Sequence, residues 1–249
     1  LRECLGEDVE ILHEPGCRID KTLPAIDPAS LRPAGGEDRP GLLLEYWNGE
    51  IAEGPAVETR IVRRCRAFWM GEFSPRVDAR NFSARYSGAF TAETGGLYDF
   101  GLQSAGGSRL FIDDALLIDN TRDQEPGDAF FGNGSAERRA QIQLEEGESY
   151  ALRVEFQSDP NLTSAGLQFG ALPPQPADGI ERAVAAAQAA DAVVLVLGTN
   201  GEWETEGNDR RDMALPGRQD ELAERVLAAR PDAVVALNVG SPVTVDWIE

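Results

Sequence analysis

Three glutamates fall within five residues around a tryptophan: Glu202-Trp203-Glu204-Thr205-Glu206, in a stretch that runs from Gly198 to Arg211. Carboxyls crowded against one another and against an indole have their pKa raised, by like charge and by desolvation. A raised pKa is what a general acid needs at neutral pH. Trp203 adds a flat apolar surface that suits the C–H face of a sugar ring. The plainer alternative is a solvated acidic loop in which Asp209 and Arg210 pair. Other chemistries lack material. One histidine, His13, leaves a single candidate base for any Ser-His or Cys-His relay and nothing for a His-rich metal site. The three cysteines include no CxxC pair, so a zinc-type centre is not expected. A net charge of −20 argues against nucleic-acid phosphates and anionic membranes, which need a basic face.

The elements around this loop read as α/β. Val193–Leu197 is an all-apolar run, expected as a parallel strand buried on both faces. Ligands bind beyond the carboxyl ends of such strands, which is where the loop begins. Ile180, Val184 and Ala187 share one face of a preceding helix that starts near Asp178. After the loop, Pro216 is expected to open a second helix with Leu222, Val226 and Ala229 on its core face. Ala233–Val239 is a second buried strand, closed by Gly240-Ser241-Pro242, so the unit reads as a right-handed crossover.

The rest of the chain has another character. Residues 1–27 look like a piece of the same α/β unit, with a helix end at Leu1–Leu5, a cap at Gly6 and a strand at Val9–His13. Residues 28–41 are rich in Pro and Gly and read as linker. From Leu42 to about Leu172 the pattern is β. Phe82, Ala84, Tyr86 and Gly88 alternate with Ser83, Arg85 and Ser87, and turn residues recur at Thr94-Gly95-Gly96, Ala105-Gly106-Gly107 and Glu145-Glu146-Gly147. Short strands at this spacing predict a β-sandwich. The expected fold is therefore multidomain, α/β and all-β. A truncated parallel α/β-sandwich domain, residues 1–40 and 174–249, is interrupted by an inserted antiparallel β-sandwich, residues 41–173.

Gly201 to Arg210, Leu215-Pro216-Gly217-Arg218-Gln219 and Val234 to Val243 together resemble the second, α/β-sandwich domain of glycoside hydrolase family 3 β-glucosidases. The β block resembles the protective-antigen (PA14) sandwich inserted in that domain in some members, through Phe82 to Gly88, Gly96 to Phe100, Ser108 to Asp114 and Ile118-Asp119-Asn120. The resemblance implies a retaining enzyme acting on terminal non-reducing β-D-glucosyl residues with two carboxyls, a nucleophile and an acid/base. It implies that the nucleophile is an Asp on an N-terminal barrel that this chain does not contain, so the chain alone is expected to be inactive. By position the acid/base is Glu206, with Glu204 as second choice and Glu202 as a supporting acceptor. Trp203 is divided between loop packing and the substrate entrance.

The resemblance also implies a sandwich loop reaching over the active-site mouth. Thr121–Arg138 is the candidate, with Phe130 and Phe131 as substrate contacts, since adjacent residues of a strand cannot both face the core. Asp113-Asp114 resembles the calcium-binding pair of lectin-type members, but further ligands are not identifiable and no metal or cofactor is expected. Expected partners are a β-glucoside or oligosaccharide substrate, the barrel of the same polypeptide and a possible second copy; nucleic acid and membrane are excluded. An inert carbohydrate-binding module is the alternative from another class. Sequons at Asn81, Asn133 and Asn161 matter only on a eukaryotic secretory route. The odd cysteine count and the absence of a signal-like start point to reduced thiols and a cytoplasmic protein.

Overall fold

A computed structural model describes residues 2–6, 9–50, 54–204 and 210–248. The chain divides into two compact units. One comprises residues 22–174; the other joins residues 1–21 to residues 175–249.

The first unit is an antiparallel sandwich. Its larger sheet has the order β3 (Glu58–Val62), β2 (Leu42–Asn48), β5 (Phe82–Thr91), β10 (Ser149–Gln157), β7 (Gly107–Ile112), β8 (Ala115–Asn120), with β1 (Leu31–Pro33) also paired to β5. The smaller sheet runs β4 (Arg66–Trp69), β11 (Ala165–Leu172), β6 (Gly96–Ala105), β9 (Arg138–Leu144). Period-two alternation drives the packing: Phe82, Ala84 and Tyr86 of β5 and Leu152, Val154 and Phe156 of β10 turn inward to meet Phe100, Leu102, Leu167 and Phe169. Edge-to-face rings at Trp69–Phe82 and Phe90–Phe100 lock the middle of the core.

One sequence expectation changes here. Leu31–Pro33, inside the expected linker, forms a strand against Gly88–Phe90, and Ile26 and Leu31 are buried in the sandwich core. Pro and Gly density marks turns, but it does not prevent a three-residue strand between them. Further on, β3 and β4 lie in different sheets, and the chain crosses between them at Arg63–Cys65.

The second unit contains a short helical turn α1 (Arg2–Leu5), then α2 (Gly179–Ala189), β12 (Val194–Gly198), α3 (Gln219–Ala229) and β13 (Val234–Asn238). β12 and β13 pair in parallel, in register from Val194↔Val234 to Gly198↔Asn238. Ile180, Ala187, Leu195, Leu197, Leu222 and Val226 form its core. Val9–His13 makes no strand pairing, because an apolar run becomes a strand only when a neighbour takes its hydrogen bonds. Pro216 stands ahead of α3 rather than at its first position; Arg218 occupies the N-cap. The expected burial of both strand faces also fails. Val194 and Val196 are 55% and 65% exposed, since the core shared with α2 and α3 takes Leu195 and Leu197 from the opposite face of β12.

Candidate functional site

The glutamate loop leaves the carboxyl end of β12, and its take-off is clamped by a side chain. The buried Gln219 amide accepts from the Gly198 N–H at 2.7 Å and donates to the Gly198 carbonyl at 2.8 Å and the Pro216 carbonyl at 3.0 Å. Gly198 itself must be glycine. A Cβ there would lie 2.1 Å from the Asn238 carbonyl oxygen of the paired strand. Beyond it Asn200 folds the chain back. Its carbonyl accepts from the Trp203 and Glu204 N–H groups at 3.0 Å, and its side chain accepts from the Glu202 N–H.

Glu204 is not a free carboxyl. It accepts from the Gly240 N–H at 2.6 Å, the Ser241 N–H at 3.1 Å and the Ser241 hydroxyl at 2.6 Å. The Ser241 hydroxyl, with the two backbone donors, outweighs desolvation and holds its pKa down at about 2. The crowding argument from sequence therefore has the wrong sign at this residue: hydrogen bonds to the charged form win. Arg210 lies 3.8 Å from Glu204 and donates to the Pro242 carbonyl at 2.8 Å. Residues 204 and 210 thus converge on the turn Gly240-Ser241-Pro242. Glu206 and Asp209 lie outside the described residues, and the Arg210 ion pair that is described is with Glu204.

The other two loop residues are tied to the N-terminal segment of the same unit. Glu202 accepts from the Lys21 N–H at 3.0 Å. Trp203 is half-buried, its indole N–H donates to the Ile19 carbonyl, and the Lys21 ammonium sits 4.6 Å over its ring. That cation occupies one ring face, so the contact described for Trp203 is loop packing.

In the sandwich unit, Phe130 and Phe131 are not on a strand. Both take left-handed backbone angles, φ 54° and 59°, in a turn where the Gly132 and Gly134 N–H groups donate to the Ala129 carbonyl. The left-handed region is uncommon for aromatic residues and is held here by packing. Phe130 is buried, stacked on Phe68 at 6.0 Å, and fills the space that a Cβ on Gly166 would need. Phe131 is 86% exposed, with Phe68 5.6 Å away. One ring is thus in the core and the other outside it, through a turn and not through strand alternation. The base of this loop is fixed by a buried polar cluster that the sequence reading did not single out. Asn120 donates to Ser104 at 3.1 Å and to Ser135 at 3.0 Å, and the Ser135 N–H donates to the Ser104 carbonyl. Phe68 was likewise not singled out, and Gln219 stood only in the block that carries the family resemblance, although a polar residue opening an apolar helix face was a signal for its clamping role.

Asp113 and Asp114 form the two-residue turn between β7 and β8, with φ 48° and 62°. The Asp113 carboxylate accepts from the Ala151 N–H, and Asp114 pairs with Arg153 at 3.3 Å. Among the described residues there is no group of three or more His, Cys, Asp or Glu placed to hold a metal. Among the described residues no helix is long and apolar enough to cross a membrane.

A family model for the PA14 domain matches residues 38–178. A β-glucosidase of Rhizobium radiobacter is 32% identical over 252 residues, covering 100% of this chain and 29% of that protein. A probable β-glucosidase I of Aspergillus clavatus is 40% identical over 191 residues, covering 72% of this chain and 23% of that protein. The structure of a Kluyveromyces marxianus β-glucosidase in complex with glucose superposes with a TM-score of 0.87 at 31% identity, over 97% of this chain and 29% of that one. The chain therefore spans less than a third of the length of these relatives.

Proposed function

The chain belongs to the PA14 domain family, and from that premise we propose that it is the part of a family 3 retaining β-glucosidase that carries the acid/base loop and an inserted substrate-facing sandwich. The relatives named β-glucosidase, matched over both units, support a glycoside hydrolase. In this reading residues 1–21 and 175–249 are two segments of one α/β domain, and the open face of the β12–β13 pair belongs against structure from the rest of the polypeptide. The nucleophile comes from that remainder, so the 249-residue chain hydrolyses nothing alone.

The observation that carries the site assignment is the tethering of Glu204. A carboxylate held at about 2 has no proton to give at neutral pH. That favours Glu206 as the general acid/base and makes Glu204 a strut. Glu204 and Arg210 bind one turn from the two sides of residues 205–209, which pins the ends of the segment that bears Glu206. Glu206 would protonate the leaving oxygen, then deprotonate the water that releases the glycosyl-enzyme, at a carboxyl separation of about 5–5.5 Å from the nucleophile.

The test uses the full-length protein. Glu206→Gln should lower kcat by roughly 10²–10⁴-fold on glucosides with poor leaving groups and far less on 2,4-dinitrophenyl β-D-glucoside, with azide restoring turnover there. If Glu204→Gln shows that profile and Glu206→Gln does not, the roles exchange. Hydrolysis by the 249-residue chain alone would overturn the assignment of the nucleophile.

A second reading, a carbohydrate-binding module without catalysis, draws on the exposed Phe131 beside Phe68. It predicts that Glu206→Gln leaves every activity of the full-length protein unchanged while Phe131→Ala weakens sugar binding.

A further inference from the structure

The most basic stretch of this acidic protein has no place in the reading above. Residues 59–71 hold four arginines, Arg60, Arg63, Arg64 and Arg66, and no Asp or Glu, in a chain of net charge −20. They lie where the chain leaves β3, the edge of the larger sheet, and enters β4, the edge of the smaller. Cys65 anchors the crossing. It is 1% exposed, its carbonyl accepts from the Phe169 N–H at 2.9 Å, and burial pushes its thiol up to about 12.

A cavity of about 550 Å³ opens at this edge, lined by all four arginines and by aromatic rings. Two arginines are engaged: Arg60 with Glu58 at 3.2 Å and with the Tyr46 ring, Arg66 with the Phe130 ring. Arg63 and Arg64 are exposed and make no ion pair with any described residue. Phe68, Trp69 and Phe73 supply apolar wall. Tyr46 and Trp69 satisfy each other, the Trp69 indole N–H donating to the Tyr46 hydroxyl at 3.1 Å. Tyr86 also lines the cavity, is 1% exposed, and has a hydroxyl with no hydrogen-bond partner among the described residues.

These features select a ligand class. Two unpaired guanidiniums call for a carboxylate, which they bind as planar forks. The ring-lined wall calls for a flat apolar body. A sugar acid would bring many hydroxyls to a lining whose polar side-chain atoms, the arginines apart, are confined to Tyr46, Trp69 and Tyr86. Edge-strand arginines also guard against strand pairing, but that role requires no cavity and no unpartnered tyrosine. We propose that this edge of the sandwich binds a one-ring aromatic carboxylate bearing an oxygen substituent opposite its acid. Arg63 and Arg64 hold the carboxylate, the ring lies against the aromatic wall, and the Tyr86 hydroxyl donates to the distal oxygen.

The proposal does not rest on the glycosidase reading, because it concerns binding by the 249-residue chain without turnover. The test is titration calorimetry of that chain with 4-hydroxycinnamate, its methyl ester, cinnamate and inorganic phosphate. Saturable one-to-one binding of 4-hydroxycinnamate is expected. The ester should bind at least tenfold more weakly, cinnamate several-fold more weakly, and phosphate not detectably. Arg63→Ala combined with Arg64→Ala should weaken binding at least tenfold. Tyr86→Phe, which keeps the ring and removes the hydroxyl, should weaken 4-hydroxycinnamate several-fold and leave cinnamate unchanged. Absence of saturable binding overturns the proposal. So does equal affinity for the ester, phosphate binding as well as the aromatic acid, or a soluble double arginine variant with its affinity unchanged. If that variant cannot be purified, the Tyr86→Phe comparison decides alone.

Discussion

The two units solve the same problem to different degrees. In the sandwich, both sheets turn an alternating apolar face inward, and Phe82, Phe100, Phe156 and Leu167 are each no more than 1% exposed. In the α/β unit, two helices pack on the face of β12 that carries Leu195 and Leu197, and Val194, Val196 and Val234 stay more than half exposed on the opposite face of the two-stranded sheet. The sandwich closes its core with residues 22–174 alone. The α/β unit compensates locally with polar struts: Gln219 across the end of β12, Glu204 onto the turn after β13, and Trp203 onto the N-terminal segment. The lesson is that an antiparallel sandwich can close its core by itself. A parallel sheet draws its stability from neighbours on both faces.

If that contrast is right, equal truncations should act unequally, and calorimetric unfolding should resolve them. Phe156→Ala empties a site ringed by Trp69 and Phe82 and should destabilise the sandwich by about 3–5 kcal/mol. Leu222→Ala in the α/β unit should cost about 2–3 kcal/mol, the low end for such a change, because a half-open core collapses more readily around the loss. A larger effect for Leu222→Ala than for Phe156→Ala would break the comparison.

Gln219→Leu should cost about 2 kcal/mol, since it keeps the volume and strips partners from the buried ends of Gly198. Acid should separate the units as well. Glu204 is held below its ordinary range in the folded protein, so its contribution is fully present above about pH 4.5 and is lost as pH falls toward 2. The α/β transition should therefore fall with acid over that window, and Glu204→Gln should flatten the dependence. Smallest of all, Phe131→Ala should change stability by no more than about 0.5 kcal/mol, whereas Phe130→Ala, two atoms of backbone away in sequence terms but buried, should cost several times as much.

Much of the architecture was legible beforehand because it is written in local periodicity. The alternation from Phe82 to Gly88 could be only a strand with one buried face, and β5 spans it. Ile180, Val184 and Ala187 forecast α2, and the glycine after Leu5 forecast the end of α1. The change of character along the chain, α/β to β and back, announced two kinds of structure before any fold was drawn. The misses came where the pattern is short or shared. Three residues, Leu31–Pro33, are too few to show a period, and an apolar run such as Val193–Leu197 reads the same whether one face or both are covered.

The site divides in the same way. Its residue types, three glutamates around Trp203 on the loop after a parallel strand, are properties of the sequence, and so is the candidate list of Glu206, Glu204 and Trp203. Which glutamate is spent on structure was not. Glu204 meets its donors at Gly240 and Ser241, more than thirty residues later, and only the parallel pairing of β12 with β13 brings that turn to it. Likewise Phe130 and Phe131 are chemically identical neighbours, and a left-handed turn decided that one is core and the other surface. Sequence determines which groups are present and which local periods they obey. Burial, hydrogen-bond partners and hence charge state depend on contacts between distant segments, so only the tertiary structure decided them.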